Sequence, residues 1–369
     1  MTTTTTPDRL VAPDAYDHPP LGTRLVSALS PAKIGGLYVL VILVIVFSIW
    51  EPDTFPEADT VRQILNTNAI TAMAALTFII PLSAGVFDIS IPTTMTLAGV
   101  MSTYAIVNSD QSVFVGILIA LGVSLLVGIF NGIVVVFLQI ESLIGTLAAS
   151  FVIQAVIVWR TGSRNISGPE LTGGFQDIAQ TSWLFDLTLP VYYALVLALV
   201  LWYVLEHTAT GRRIYATGFN LDATRLASVR TERIRFGSLI AAAMLAGITG
   251  VVLASNIGSG SATAGQQYLL PAIAGVFLGA TQLKNGRFNA WGTIIAVILL
   301  GTLVTGLGLA EVGQWVQQFA IGVVLIAALA LTGFQVRRAG AEARRQRAAS
   351  RAEAGTHPVL PDQPMTEPT

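Results

Sequence analysis

Residues 206–236 read EHTATGRRIYATGFNLDATRLASVRTERIRF, a polar stretch carrying Arg212, Arg213, Arg225, Arg230, Arg233 and Arg235 between two long apolar runs. Apolar runs of that length imply a bilayer, since a helix crossing the hydrocarbon core needs about 20 apolar residues. Lys and Arg near span ends are retained on the cytoplasmic side, so this basic segment, 207–235, is expected there. It is also long enough to present a surface to a soluble partner.

Composition agrees. The 369-residue chain is 53% hydrophobic and 11% charged, with a mean hydropathy of +0.69. Soluble domains carry about 25% charged residues, so the missing polar surface implies lipid. There is no cysteine, which excludes disulfides, thiolate metal sites and cysteine nucleophiles. The histidines are His18, His207 and His357, the first and last of them in the terminal tails, so neither a histidine-based metal cluster nor a catalytic triad is expected.

Working outward, spans are expected at 34–50, 61–82, 87–107, 113–137, 142–159, 188–206, 236–256, 268–283, 290–308 and 315–334. The fold class is an all-α polytopic membrane protein with about ten transmembrane helices, some broken or re-entrant. The 268–283 stretch is short and holds Pro271, so taken alone it reads equally well as re-entrant. With both termini cytoplasmic, every basic residue lies inside except Arg62, Arg160 and Arg164. Residues 1–33, rich in Thr and Pro, read as a disordered cytoplasmic tail. Residues 34–336 form the membrane domain, and 337–369 a basic and then Pro-rich cytoplasmic tail.

Several polar residues stand out against this background. FIIPLSAGVFDISIPTTM (78–95) joins two spans without a hydrophilic loop, and Pro81, Gly85 and Pro92 interrupt its helical bonding. Irregular backbone at membrane depth requires burial in protein or a watery cavity. Asp88 there either lines a pathway or caps the following helix. Asn66, Asn68, Ser90, Trp315 and Gln318 are the other candidate pathway residues, because amides and rings suit a neutral polyhydroxylated ligand. Their bland alternative is hydrogen bonding within the bundle. No phosphate-cradling G-x-x-x-x-G-K-[ST], nucleophile elbow or HExxH occurs. The chain is therefore expected to be no enzyme, with no metal and no cofactor of its own.

Three stretches resemble the membrane permease subunits of bacterial ABC importers of the ribose/monosaccharide type. GVFDISIPTTMTLAGVMSTY (85–104) is similar to the family's G-[IEF]-D-L-S-V-G-S-x-M-A-L-A-G segment, with Asp88 and Ser90 in matching places. TGSRNISG (161–168) resembles its outer-loop T-G-G-R-P-I-S-G. TGRRIYATGFNLDATRLASV (210–229) resembles its G-R-x-[IV]-Y-A-x-G-x-N-x-x-A-A-R-L-S-G-I. The resemblance implies a cell-membrane permease that translocates a sugar or similar small polar solute. It implies ATP bound by separate nucleotide-binding subunits, an extracytoplasmic substrate-binding protein, a second permease chain and no nucleic acid. It places ATPase coupling at Gly218, Asn220, Ala223, Thr224 and Arg225. The other class that fits is a self-sufficient secondary transporter or channel, against which only Asp88 offers an intramembrane ion site.

Overall fold

The computed structural model describes residues 31–284, 286–327 and 330. The terminal tails, and with them the sidedness of both termini and the end of the last expected span, lie outside the described residues. Among the described residues every regular element is a helix, and the β-pairing amounts to two isolated bridges, Ile166 with Gly260 and Ser182 with Thr188.

The long helices are α1 (Pro31–Trp50), α2 (Ala58–Ser83), α3 (Ile91–Ser109), α4 (Val113–Gly132), α5 (Ser142–Thr161) and α6 (Leu189–Trp202). They are followed by the short α7 (Ala209–Phe219) and α8 (Leu221–Leu226), then α9 (Thr231–Ile257), α10 (Leu269–Ala280), α11 (Ala290–Leu309) and α12 (Gln314–Ala327). π-Helical turns, Ile133–Phe137 and Tyr203–His207, extend α4 and α6. Among the described residues six helices are long and apolar enough to cross a membrane: α2, α4 and α6 with their extensions where present, α5, α9 and α11. The apolar parts of α1 and α12 are shorter, and α10 has 12 residues, about 18 Å, against a hydrocarbon core of about 30 Å.

The buried centre is α2, α3 and α9, wrapped by α4, α5, α6, α10 and α11. Small residues set the spacing. A Cβ on Gly250 of α9 would collide with the Met95 carbonyl of α3, and one on Gly99 would meet the Gly250 carbonyl oxygen at 2.9 Å. Where α3 crosses α9, backbone approaches backbone, as expected where lipid removes the hydrophobic drive between helices.

Two stretches within the bundle are not helical, Ala84–Ser90 between α2 and α3 and Ser259–Tyr268 ahead of α10, apart from one 3₁₀ turn at Gln266–Tyr268. They meet beside α3, where the Gly265 N–H donates to Thr96 Oγ1 at 3.0 Å. A side chain on Gly265 would strike the Pro92 carbonyl. The broken segment expected at 78–95 is thus present, and a second break supplies the length that α10 lacks.

Candidate functional site, a cleft beside two broken segments

Unwound backbone in a bundle must find donors and acceptors among side chains. In 84–90 it does so through hydroxyls on α5: Phe87 N–H donates to Ser142 Oγ at 3.1 Å and Ile89 N–H to Thr146 Oγ1 at 3.0 Å. Asp88, 1% exposed, accepts through Oδ1 from the Ser90 amide at 2.9 Å and the Ser90 hydroxyl at 2.6 Å. Asn131 on α4 donates Nδ2–H to Ser90 Oγ at 2.6 Å. Asp88 therefore holds Ser90, the residue that opens α3, and closes a chain of bonds from α4, Asn131 to Ser90 to Asp88. Its Oδ2 has no hydrogen-bond partner among the described residues.

Asparagine could take over both Oδ1 bonds, whereas alanine leaves two buried Ser90 donors unmatched, at a cost of about 1–3 kcal/mol each. Asp88→Ala is expected to lower the yield of folded protein in the membrane well below that of Asp88→Asn. Thermal-shift measurements on the purified variants check the order.

Directly after Asp88, Ile89, Pro92 and Thr93 form one wall of a cleft of about 360 Å³. Leu147, Ser150, Phe151 and Gln154 form the second, residues whose spacing places them on one face of α5. Gln266, Leu269 and Leu270 form the third. Gln266 Nε2 donates to Gln154 Oε1 at 3.4 Å, and Gln154 Nε2 donates to the Ala262 carbonyl at 3.2 Å. The lining carries amides and hydroxyls but no ionisable side chain.

Of the pathway residues expected from sequence, Asp88 and Ser90 lie together behind this wall. Asn66 is elsewhere: its Oδ1 accepts from Thr188 N and Oγ1 at 2.9 and 3.1 Å, bracing the turn into α6. Asn68 donates to the Ile64 carbonyl of its own helix at 2.8 Å and lines a small apolar space between α2, α6 and α11. Trp315, 73% exposed, and the exposed Gln318 sit on α12, away from the cleft. Gln266 was not singled out by sequence, because it stands in a polar loop reading SNIGSGSATAGQQ and its partner Gln154 is 112 residues away.

The basic segment folds as two short helices, α7 and α8, bonded to each other. Thr208 caps α7 by accepting from Gly211 N–H at 3.1 Å. Asn220 ends α7 and caps α8, its Oδ1 accepting from Ala223 N–H at 3.0 Å, the preference expected of Asn at that position. Thr224 turns inward and donates to the Ala216 carbonyl at 2.8 Å, locking α8 on α7. Arg225 is committed within the segment, to Thr231 Oγ1 and Glu232 Oε1, both at 3.1 Å. Gly218 packs against the end of α2, and Ala223 is exposed. Beside it the structure displays Phe219, 93% exposed, and Leu226, 88% exposed. Tyr215 anchors the base: its hydroxyl donates to the Phe288 carbonyl at 2.6 Å under the Arg287 guanidinium, 4.0 Å from the ring. Burial pushes that hydroxyl up to about 12, so it keeps its proton as a donor.

This arrangement, a multi-pass helical bundle with unwound segments beside a largely apolar cleft that carries four polar side chains, and a compact basic platform at one end, is that of a membrane transport protein. The chain belongs to the family of branched-chain amino acid transport system / permease component proteins, whose model matches residues 60–329. It is similar to the ribose import permease protein RbsC of Bacillus subtilis, 30% identical over 299 residues covering 81% of this chain and 92% of the relative. RbsC of Haemophilus influenzae is 29% identical over 298 residues, covering 79% and 90%. The autoinducer 2 import system permease protein LsrC of Salmonella typhi is 28% identical over 277 residues, covering 75% and 79%. No solved structure matches. The chain is a multi-pass cell-membrane permease, as its resemblance implied.

Proposed function

We propose that the chain is the permease subunit of an ATP-driven ABC importer and moves a neutral, polyhydroxylated small solute, a sugar or a close analogue. The observation that carries this is the cleft. The family description names branched-chain amino acids, while relatives are named for ribose and autoinducer 2. A zwitterionic amino acid would leave two charges unmatched among Thr93, Ser150, Gln154 and Gln266, at a large desolvation cost. A polyol finds donors and acceptors in all four. Asp88 and Ser90 serve the pathway by holding the cleft wall from behind. The chain itself is no enzyme and binds no cofactor; nucleotide-binding subunits dock on α7–α8, and a binding protein delivers solute from outside.

The cleft is open along Phe151 and Leu270, both strongly exposed, and a second permease chain is the partner that closes it. Radiolabelled ribose uptake by the assembled complex in proteoliposomes tests the reading. Gln154→Leu and Gln266→Leu are expected to raise the apparent KM about five- to tenfold with less change in the maximal rate, since each removes neutral hydrogen bonds of about 1 kcal/mol. Unchanged KM in both variants, or uptake of leucine in preference to ribose, sinks it.

Ten membrane-crossing segments with both termini inside is the topology we favour. Contacts at or near the ends of the helices support it by falling into two sets, as alternate crossings require. One joins Gly85 to Gly218, Glu206 to Lys284 and Tyr215 to Phe288. The other joins Asn66 to Thr188, Ile166 to Gly260 and Gln180 to Asn256. The arginines assign the first set to the cytoplasm. Because the chain has no cysteine, single cysteines replacing Asp53, Asn165, Asp222 or Arg345 are labelled without background. An impermeant thiol reagent added outside is expected to reach the first two and not the last two; outside labelling at 345 overturns the count.

A further inference from the structure

The platform and the cleft are not separate. Gly218, in the last turn of α7, lies on the backbone that ends α2: a Cβ there would collide with the Ser83 carbonyl and come within 2.9 Å of Gly85 N. From the other side, a Cβ on Gly85 would lie 3.2 Å from Gly218 Cα. Gly85 has φ +72° and so requires glycine on backbone grounds. Gly218 does not; it is helical, where alanine is the better former. Its lack of a side chain is explained by the contact alone. Three residues beyond Gly85, the chain reaches Asp88, and then Ile89, Pro92 and Thr93 in the cleft wall.

The segment in between has little freedom to absorb movement. Val86 N–H donates to Pro81 O at 2.9 Å, Phe87 and Ile89 are pinned to α5, and Ser90 to Asp88 and Asn131. α5 itself starts at Glu141, whose carboxylate accepts from Ile144 N–H at 3.0 Å. The backbone N–H groups of Leu143 and Ile144 hold that carboxyl below the usual carboxylate range, so the cap stays in place at neutral pH. The same α5 contributes Leu147, Ser150, Phe151 and Gln154 to the opposite wall.

The geometry points to Gly218 as a positioning residue: its contact with Ser83–Gly85 makes α7–α8, the 84–90 segment and the start of α5 one mechanical body, so displacement of the docking platform moves two cleft walls directly. This rests on the docking of an ATPase at α7–α8. It adds the route by which that docking reaches the solute, through backbone touching backbone with no intervening side chain to rotate away.

The test compares assembled complexes carrying Gly218→Ala or Gly237→Ala in proteoliposomes; Gly237 is helical, with nothing within 4 Å of the added Cβ. Per bound ATPase subunit, ribose uptake with Gly218→Ala is expected to fall about tenfold or more, against the roughly hundredfold that a misplacement of about 1 Å can cost. Gly237→Ala is expected to behave as the unmodified complex. Full uptake with Gly218→Ala overturns the inference. A second measurement does not depend on that variant folding: spin labels on cysteines replacing Arg212 on α7 and Ile144 on α5, both exposed. The distance between them is expected to stay constant between nucleotide-free and ATP-bound complexes, and a clear change overturns the single body. Absence of any ATPase from the unmodified complex would instead remove the docking reading and leave the contact standing.

Discussion

Ala223→Trp is expected to insert normally, lose its copurifying ATPase and bring import to background. Ala223 sits on the exposed face of α8, and its N–H is held by Asn220 Oδ1, so the helix forms with or without a small side chain. The exposed residues around it, Phe219 and Leu226, have the character of interface anchors: apolar, solvent-facing and on a segment kept out of lipid by its arginines. An indole between them adds bulk where a partner surface must close, without altering charge, cap or topology. Losing the seating of such anchors costs about 2 kcal/mol or more, roughly thirtyfold in affinity. Truncating Phe219 and Leu226 to alanine together is expected to reproduce the loss without added bulk. Retention of both the ATPase and full transport in Ala223→Trp would move the docking surface elsewhere.

Arg225 shows where reading by sequence position stops. The resemblance placed it in the coupling segment; its guanidinium bonds within the chain, to Thr231 and Glu232. An ion pair seven residues apart across a turn depends on how α8 folds back on α9, which no local pattern states. Asn220 was legible, because capping is a local rule and an Asn before LDATRL satisfies it. The break at 78–95 was legible for the same reason: Pro81, Gly85 and Pro92 act on their own backbone. The second break was read as a loop. Only its contacts with Pro92, Thr96 and Thr103 on α3 carry it down beside that helix, and those contacts join residues more than 150 apart. Gln266 was missed with it. Asn66 and Asn68 had the right chemistry for a ligand, but amides in a bundle satisfy backbone groups equally well, and these two do so.

Gly250→Val is expected to prevent assembly of the bundle. The Gly250 position on α9 and Met95 on α3 face each other with backbone nearly touching, so the β-carbon has no rotamer that avoids the Met95 carbonyl. Overpacking a well-filled core costs about 1–3 kcal/mol when side chains can yield; here the obstruction is main chain on a helix that also carries Thr93 and Pro92 of the cleft. Relief requires α3 and α9 to separate, which strips contacts along the most extensively packed helix pair among the described residues and pulls Thr96 from Gly265. The matched control is Gly122→Val on α4, where nothing lies within 4 Å of the added carbon. A membrane-extracted, detergent-solubilised Gly250→Val protein is expected to elute as aggregate while Gly122→Val elutes with the unmodified protein. Monodisperse Gly250→Val with intact uptake would show that the α3–α9 contact is looser than its glycines imply, and with it the wall of the cleft.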